Sequence, residues 1–278
     1  MTAPTGRDHS ERMFIHRLRT KKIGRLKYFH TSVHTLVLLQ KSARYICYPF
    51  LLVHLVPSTI CLEFSVRSEV IKLYPTATFG SQTISNQQNM NTHPNIEQAK
   101  RLIEKKIRET FPDPEEDPIV QSYAGYFDRW GKTYPIEFQI KSIKKGRSFP
   151  QVSTHVDCMF MAELENRILT SGHDRDAIQG GLVYDLADNG VEYVKLNGKK
   201  QVLVTNDVIL RDDEGVLASV LFGPAARTSI NKETVNPLYL AWCPVGIAYE
   251  TVEEHLSTIT QYSKSVYGDK IETARHII

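Results

Sequence analysis

Two histidine–carboxylate clusters are the parts of this 278-residue chain best equipped for chemistry. His155-Val156-Asp157 and Gly172-His173-Asp174-Arg175-Asp176 supply two imidazoles and three carboxylates. Such groups suit acid–base work or metal ligation. A metal site could draw on them, but their spacing is not diagnostic, and no metal is expected. A third segment, Gly223-Pro224-Ala225-Ala226-Arg227-Thr228, adds a guanidinium and a hydroxyl that can steady an oxyanion or hold a phosphate. A basic run, Lys141, Lys144, Lys145 and Arg147, is a candidate phosphate-contacting patch. Each residue also has an ordinary role. Asp157 suits a helix first turn and the basic run a helix C-terminus, both favoured by the helix dipole. Asp174 can brace a turn by accepting backbone N–H groups. The chain has no G-x-x-x-x-G-K-S/T loop and no strand-linked G-x-G-x-x-G, so a nucleotide-binding fold is unsupported and no cofactor is expected. It also has no G-x-S-x-G nucleophile elbow.

The elements that must position these groups follow from periodicity. Ser68–Leu73 reads as a short helical turn and Thr76–Ile84 as a strand. A helix begins after Thr92, with Pro94 in its first turn and Ile96, Ala99, Ile103 and Ile107 on one stripe. Its other face carries Lys100, Arg101, Lys105, Lys106 and Arg108. Asp117-Pro118 opens a second helix whose stripe, Ile119, Tyr123, Tyr126, Phe127 and Trp130, reads as core. A third runs from Ile136 to Lys145, and a fourth follows Ser153 or Thr154 as its cap. Then the period changes to two. Short strands alternate with the turn signals Asn189-Gly190, Asn197-Gly198 and Asp212-Asp213-Glu214-Gly215. Thr251-Val252-Glu253-Glu254 reads as a capping box for a last helix. Helices, then hairpins, then a helix predict an α+β fold with a mainly antiparallel sheet and a closing C-terminal helix.

Composition is ordinary for a globular protein: 41% apolar and 23% charged residues. The charge is uneven. Residues 1–60 hold ten Lys+Arg and two Asp+Glu, while the remainder holds 24 and 29. The body is therefore mildly acidic, and a polyanion must bind a local basic face. Residues 1–60, basic and then apolar, are expected to be a poorly ordered extension to a single domain over 61–278. The apolar stretch 45–62 is short for a membrane span and contains Pro49 and Pro57. A cytoplasmic location is expected, or a mitochondrial one if residues 1–44 act as a presequence. Cys47, Cys61, Cys158 and Cys243 form no C-x-x-C pair and read as reduced thiols.

Four segments in order carry a family resemblance: Val156-Asp157; Gly172-His173-Asp174-x-Asp176-x-Ile178-x-Gly180; Asp212-x-x-Gly215-Val216; and Gly223-x-x-x-x-Thr228-x-Ile230-x-x-x-Thr234. Together they resemble the B-three/B-four tRNA-binding and editing module of the phenylalanyl-tRNA synthetase beta subunit, in a free-standing form. That family's module is α+β and hydrolyses tyrosine mischarged onto its tRNA. The resemblance places Phe160 at the family's pocket asparagine and Ser171 at its pocket histidine. It implies a pocket built from Asp157, Phe160, Ser171, Arg227 and Thr228, with His173, Asp174 and Thr228 as the catalytic candidates. The family's Gly-Gly-Glu-Glu-Ser is Pro224-Ala225-Ala226-Arg227-Thr228 here, so its acidic reader of a tyrosine hydroxyl is absent. The expected partner is tRNA or aminoacyl-tRNA, with a trans-acting ester hydrolase as the sharper form. The rival expectation is a non-catalytic module for a small anionic ligand or a protein.

Overall fold

The computed structural model describes residues 62–278 apart from Val245, so the expectations for residues 1–60 lie outside the described residues. The described residues begin with β1 (Phe64–Val66), α1 (Ser68–Leu73) and β2 (Thr78–Ser85). Four helices follow: α2 (Pro94–Glu109), α3 (Pro118–Phe127), α4 (Pro135–Lys144) and α5 (Thr154–Asn166). Three of them start with proline at the first position, where a missing N–H costs nothing. Asp117 caps α3 by accepting the N–H groups of Ile119 and Val120 at 2.9 and 3.2 Å.

Strands then dominate: β3 (Thr170–Asp174), β4 (Leu182–Leu186), β5 (Glu192–Val194), β6 (Lys200–Val202), β7 (Val208–Asp212), β8 (Gly215–Ser219), β9 (Gly223–Pro224) and β10 (Pro237–Cys243). The chain ends with α6 (Tyr249–Tyr267) and β11 (Glu272–Ile277). One sheet has the order β1-β4-β7-β8-β9, a second β11-β2-β10-β3, and β5-β6 is a separate hairpin. Every pairing is antiparallel except β1 with β4. The fold is α+β with a mainly antiparallel arrangement, as the periodicity indicates.

Several details differ from the sequence reading. The last helix does not close the chain, because β11 returns to pair with β2. Its six residues are nearly all exposed and carry no core pattern to reveal them. Helix α6 starts at Tyr249 with Ala248 as cap, so Thr251 lies inside the first turn and makes no box. The Asn189-Gly190 turn joins no hairpin, since β4 pairs with β7 and β5 with β6. Asn197-Gly198 does close the β5–β6 hairpin. Gly172-His173-Asp174, read as a turn, is part of β3 and pairs with Leu238 and its neighbours on β10.

The core is aromatic where α3 meets β10. Tyr123 stacks on Tyr134 with centroids 4.3 Å apart and donates its hydroxyl to the Trp242 carbonyl at 2.6 Å. Tyr126 donates to Asp207 at 2.7 Å. The α3 stripe is therefore core packing with its polar tips satisfied. Two glycines stand where a neighbouring side chain comes close. A Cβ on Gly172 would stand 2.8 Å from Ile230 Cδ1, so a larger residue there would push the Ile230 and Met159 side chains aside. Gly180 has φ +73, and a Cβ there would strike the Asp213 carboxylate at 2.1 Å.

Candidate functional site

A cavity of about 250 Å³ lies where α4, α5, β3, β8 and β10 converge. Its walls are mainly apolar and aromatic, with Phe160, Leu210, Leu221, Phe222, Leu240 and Trp242 among them. Its polar groups are Gln139, Glu163, Thr170, Ser171 and Ser219, and its lining includes no Lys, Arg or His. Helix α5 contributes Phe160 and Glu163 three residues apart, on one face of the helix. β3 contributes Thr170 and Ser171, and the β8–β9 connection wraps the remainder.

Ser171 is the wall end of a hydrogen-bonded chain. His173 Nε2 lies 3.0 Å from Ser171 Oγ, and His173 Nδ1 lies 2.9 Å from Thr228 Oγ1. Ser171 and His173 share a strand face, two residues apart. His173 is fully buried, and burial with the nearby Arg227 charge pushes its pKa down to about 3, so the imidazole is neutral at working pH. It orients two hydroxyls and is a weak base. The Ser219 side, by contrast, is anchored by a carboxylate. Asp207 accepts from the Ser219 hydroxyl and from the Leu221 N–H at 3.3 Å, which pins the segment that forms the wall. Burial raises the Asp207 pKa to about 6.

The other candidates are placed elsewhere. Asp174 sits on the opposite face of β3 from His173, accepting from Thr234 Oγ1 at 2.9 Å and from the Asp176 N–H at 3.1 Å. Asp157 is fully buried between α2 and α5, where Lys100 Nζ is 2.7 Å away. Lys100, read as part of an exposed basic face, is itself fully buried. The reason is that burying Asp157 requires a cation, and Lys100 lies one helix away. Arg227 bridges the β7–β8 turn, bonding Asp212, Glu214 at 3.3 Å and the Gly215 carbonyl. Its guanidinium is committed to that turn and lines no part of the cavity. A second depression, about 650 Å³, includes Arg67 and Arg211, both paired with Asp185 at 3.9 and 3.4 Å.

The basic run is divided. Lys141 is held by Glu115 and Glu137, each at 2.7 Å, and Lys144 by Asp113 at 2.8 Å. Lys145 and Arg147 are exposed, and among the described residues neither has an ion-pair partner. Arg108 of α2 donates to the carbonyls of Ile143 and Arg147, at 3.1 and 3.2 Å. Those bonds draw the basic ends of α2 and α4 into one corner; on α2, Lys105 is exposed, and Arg101 is exposed but paired with Glu104 at 2.8 Å. Among the described residues no three His, Cys, Asp or Glu side chains gather as a metal site, and no helix is long and apolar enough to cross a membrane.

Sequence reasoning missed Glu163, Thr170 and the Trp242 wall. Glu163 carried a usable signal: it is the one acid in the run Met159-Phe160-Met161-Ala162-Glu163-Leu164, and an acid within a buried stretch needs an explanation. Burial raises its pKa to about 8. The Trp242 indole N–H is also buried and finds no acceptor.

No protein-family profile and no curated protein matches the chain. Among solved structures it is similar to an N-terminal fragment of the phenylalanyl-tRNA synthetase beta subunit from Pyrococcus horikoshii, with 12% identity and a TM-score of 0.41. The match covers 76% of this chain and 50% of that one, so the chain spans about half the length of its structural neighbour. A likeness of that strength identifies neither family nor function.

Proposed function

We propose that this chain binds aminoacyl-tRNA, seating the apolar side chain of the acyl group in the cavity and the RNA backbone on the basic corner of α2 and α4. The observation that carries the reading is that one helix serves both. Gln139 of α4 lines the cavity, and Lys145 caps the same helix six residues on, about 9 Å along its axis at 1.5 Å per residue. Size supports it too. The cavity of about 250 Å³ exceeds the roughly 150 Å³ that holds a benzene and falls short of the roughly 300–1,000 Å³ typical of drug-sized ligands. It suits one amino-acid side chain and not a nucleotide.

The sequence resemblance points the same way, since Phe160, Ser171 and Gly223, within or beside its segments, all line the cavity. A small anion is disfavoured there because no cationic side chain is in the lining. Ester hydrolysis is the sharper form of the proposal. In it, water held at Ser171 adds to the acyl carbonyl and the ester C–O bond breaks. The ribose hydroxyl of the tRNA leaves with one of the water's protons, and the amino acid leaves as its carboxylate, the other proton going to solvent. Thr228 and His173 orient the serine hydroxyl. The test is a panel of tRNAs charged with different amino acids, scored for both binding and deacylation. Retention of apolar aminoacyl-tRNAs over uncharged tRNA is expected. Equal binding of charged and uncharged tRNA would remove the cavity from the account, and binding without deacylation would leave a binding module alone.

A further inference from the structure

The least explained group in the cavity is Glu163. It is 3% exposed, and its Oε1 accepts from the Thr170 N–H at 2.7 Å. No donor in the described residues holds its Oε2, and no cation is paired with it. A buried carboxyl without a counter-ion is costly when charged, so burial favours its protonated form. Around it stand the aromatic walls of Phe160, Tyr184, Phe222 and Trp242. A carboxyl with one backbone donor and no counter-ion, set among aromatic faces, is the arrangement that favours an organic cation.

We propose that Glu163 anchors a primary ammonium on an apolar skeleton, giving up its proton when the amine enters. The step balances: the neutral carboxylic acid and the ammonium become a carboxylate–ammonium pair, and one proton goes to solvent. The proposal deepens the aminoacyl reading and rests on it. An aminoacyl ester carries a free α-ammonium but no carboxylate, which matches a lining with one acid and no cation. A free amino acid would bring an unpaired carboxylate, and an N-acylated one would lack the charge. Among the titratable groups around Glu163, Tyr134 and Tyr184 have hydroxyls that burial raises well above the usual range. His255 lies behind the Thr170 hydroxyl, 2.6 Å away, and His173 behind Ser171; burial holds both at about 3, so they stay neutral. Asp207 lies behind Ser219, with its pKa at about 6. Lys132 Nζ sits 4.5 Å over the Phe222 ring. None of them is a cation paired with Glu163.

The test is calorimetry on the full chain with 2-phenylethylamine and its neutral isostere 2-phenylethanol. Titrations run near pH 6.5 in buffers of different ionisation enthalpy. The amine is expected to bind about tenfold or more tightly than the alcohol, with release of about one proton per amine bound. In Glu163→Gln, whose amide oxygen still accepts from Thr170, the preference and the proton release vanish while alcohol binding persists. Alcohol binding equal to amine binding, or amine binding without proton release in the wild type, would overturn the Glu163 assignment and leave the cavity reading intact. The proton count needs no variant. Failure of both ligands to bind would instead overturn the cavity reading and this inference with it.

Discussion

Asp157 was a site candidate in the sequence and is a structural ion-pair partner in the fold, and its removal separates the two roles. Lys100 Nζ is 2.7 Å from Asp157 Oδ2 and 2.9 Å from Glu97 Oε1, with the Asp157 and Lys100 side chains both fully buried. Val152 N–H donates to the other Asp157 oxygen at 3.2 Å. Lys100→Met leaves a buried carboxylate with a single backbone donor. Breaking such a pair from one side costs about 3–5 kcal/mol. For a domain of this size each kcal/mol moves Tm by about 2–4 °C, so a drop on the order of 10 °C is expected. Replacing both partners, as in Lys100→Met with Asp157→Leu, removes the uncompensated charge and should recover most of the loss. Chemical denaturation of the four members of the cycle measures it. A Lys100→Met cost below about 1 kcal/mol would refute the reasoning. So would an Asp157→Leu, Lys100→Met double variant that is stable yet no longer binds RNA or ligand, since that would return Asp157 to the site.

Burial holds His255 at about 3, well below an unfolded histidine, so its contribution to stability is present above about pH 6.5 and is lost as pH falls toward that lower value. His255→Gln should therefore flatten the decline in stability between pH 6 and 4 by about 1.4 kcal/mol per pH unit, measured by urea titration; an unchanged slope would contradict it. Gly180→Ala forces a side chain into a left-handed backbone position against Asp213 and should cost about 1–3 kcal/mol, with Gly190→Ala, where nothing is within 4 Å, costing less. Removing Lys145 and Arg147 should weaken RNA binding and reduce the log–log salt slope by about one per lost phosphate contact, whereas the paired Lys141 should change it little. Equal effects from all three would show that the ion pairs do not restrain Lys141.

Where a residue's role depends on local pattern, it was readable from the chain. The α3 aromatic stripe is core, Asp117 caps its helix, and Asn197-Gly198 turns a hairpin, because each depends on neighbours a few residues away. Strand β11 was hidden because its exposed residues, Glu272 to His276, show no burial pattern, and its place depends on hydrogen bonds to β2. Of the candidate residues, Phe160 and Ser171 line the cavity, and His173 and Thr228 reach its wall only through hydrogen bonds to Ser171 and to each other. Arg227, Asp157 and Lys100 were misleading for one physical reason: a charge's role is set by its partner, and each partner lies on another element. Glu163 was overlooked because helical spacing places a residue on a face without saying whether that face is packed or hollow.

If the cavity reads the acyl group of an aminoacyl-tRNA, as proposed, one tRNA, uncharged and charged with an apolar amino acid, should differ in affinity for the wild-type chain and not for Ala218→Phe. Ala218 is buried in the cavity wall, so the larger side chain fills the space without touching the basic corner. The account predicts that charging tightens binding by about tenfold or more in the wild type, and that Ala218→Phe abolishes the difference while binding uncharged tRNA as before. Identical affinities for charged and uncharged tRNA in the wild type, or a charging preference that survives the filled cavity, would contradict it.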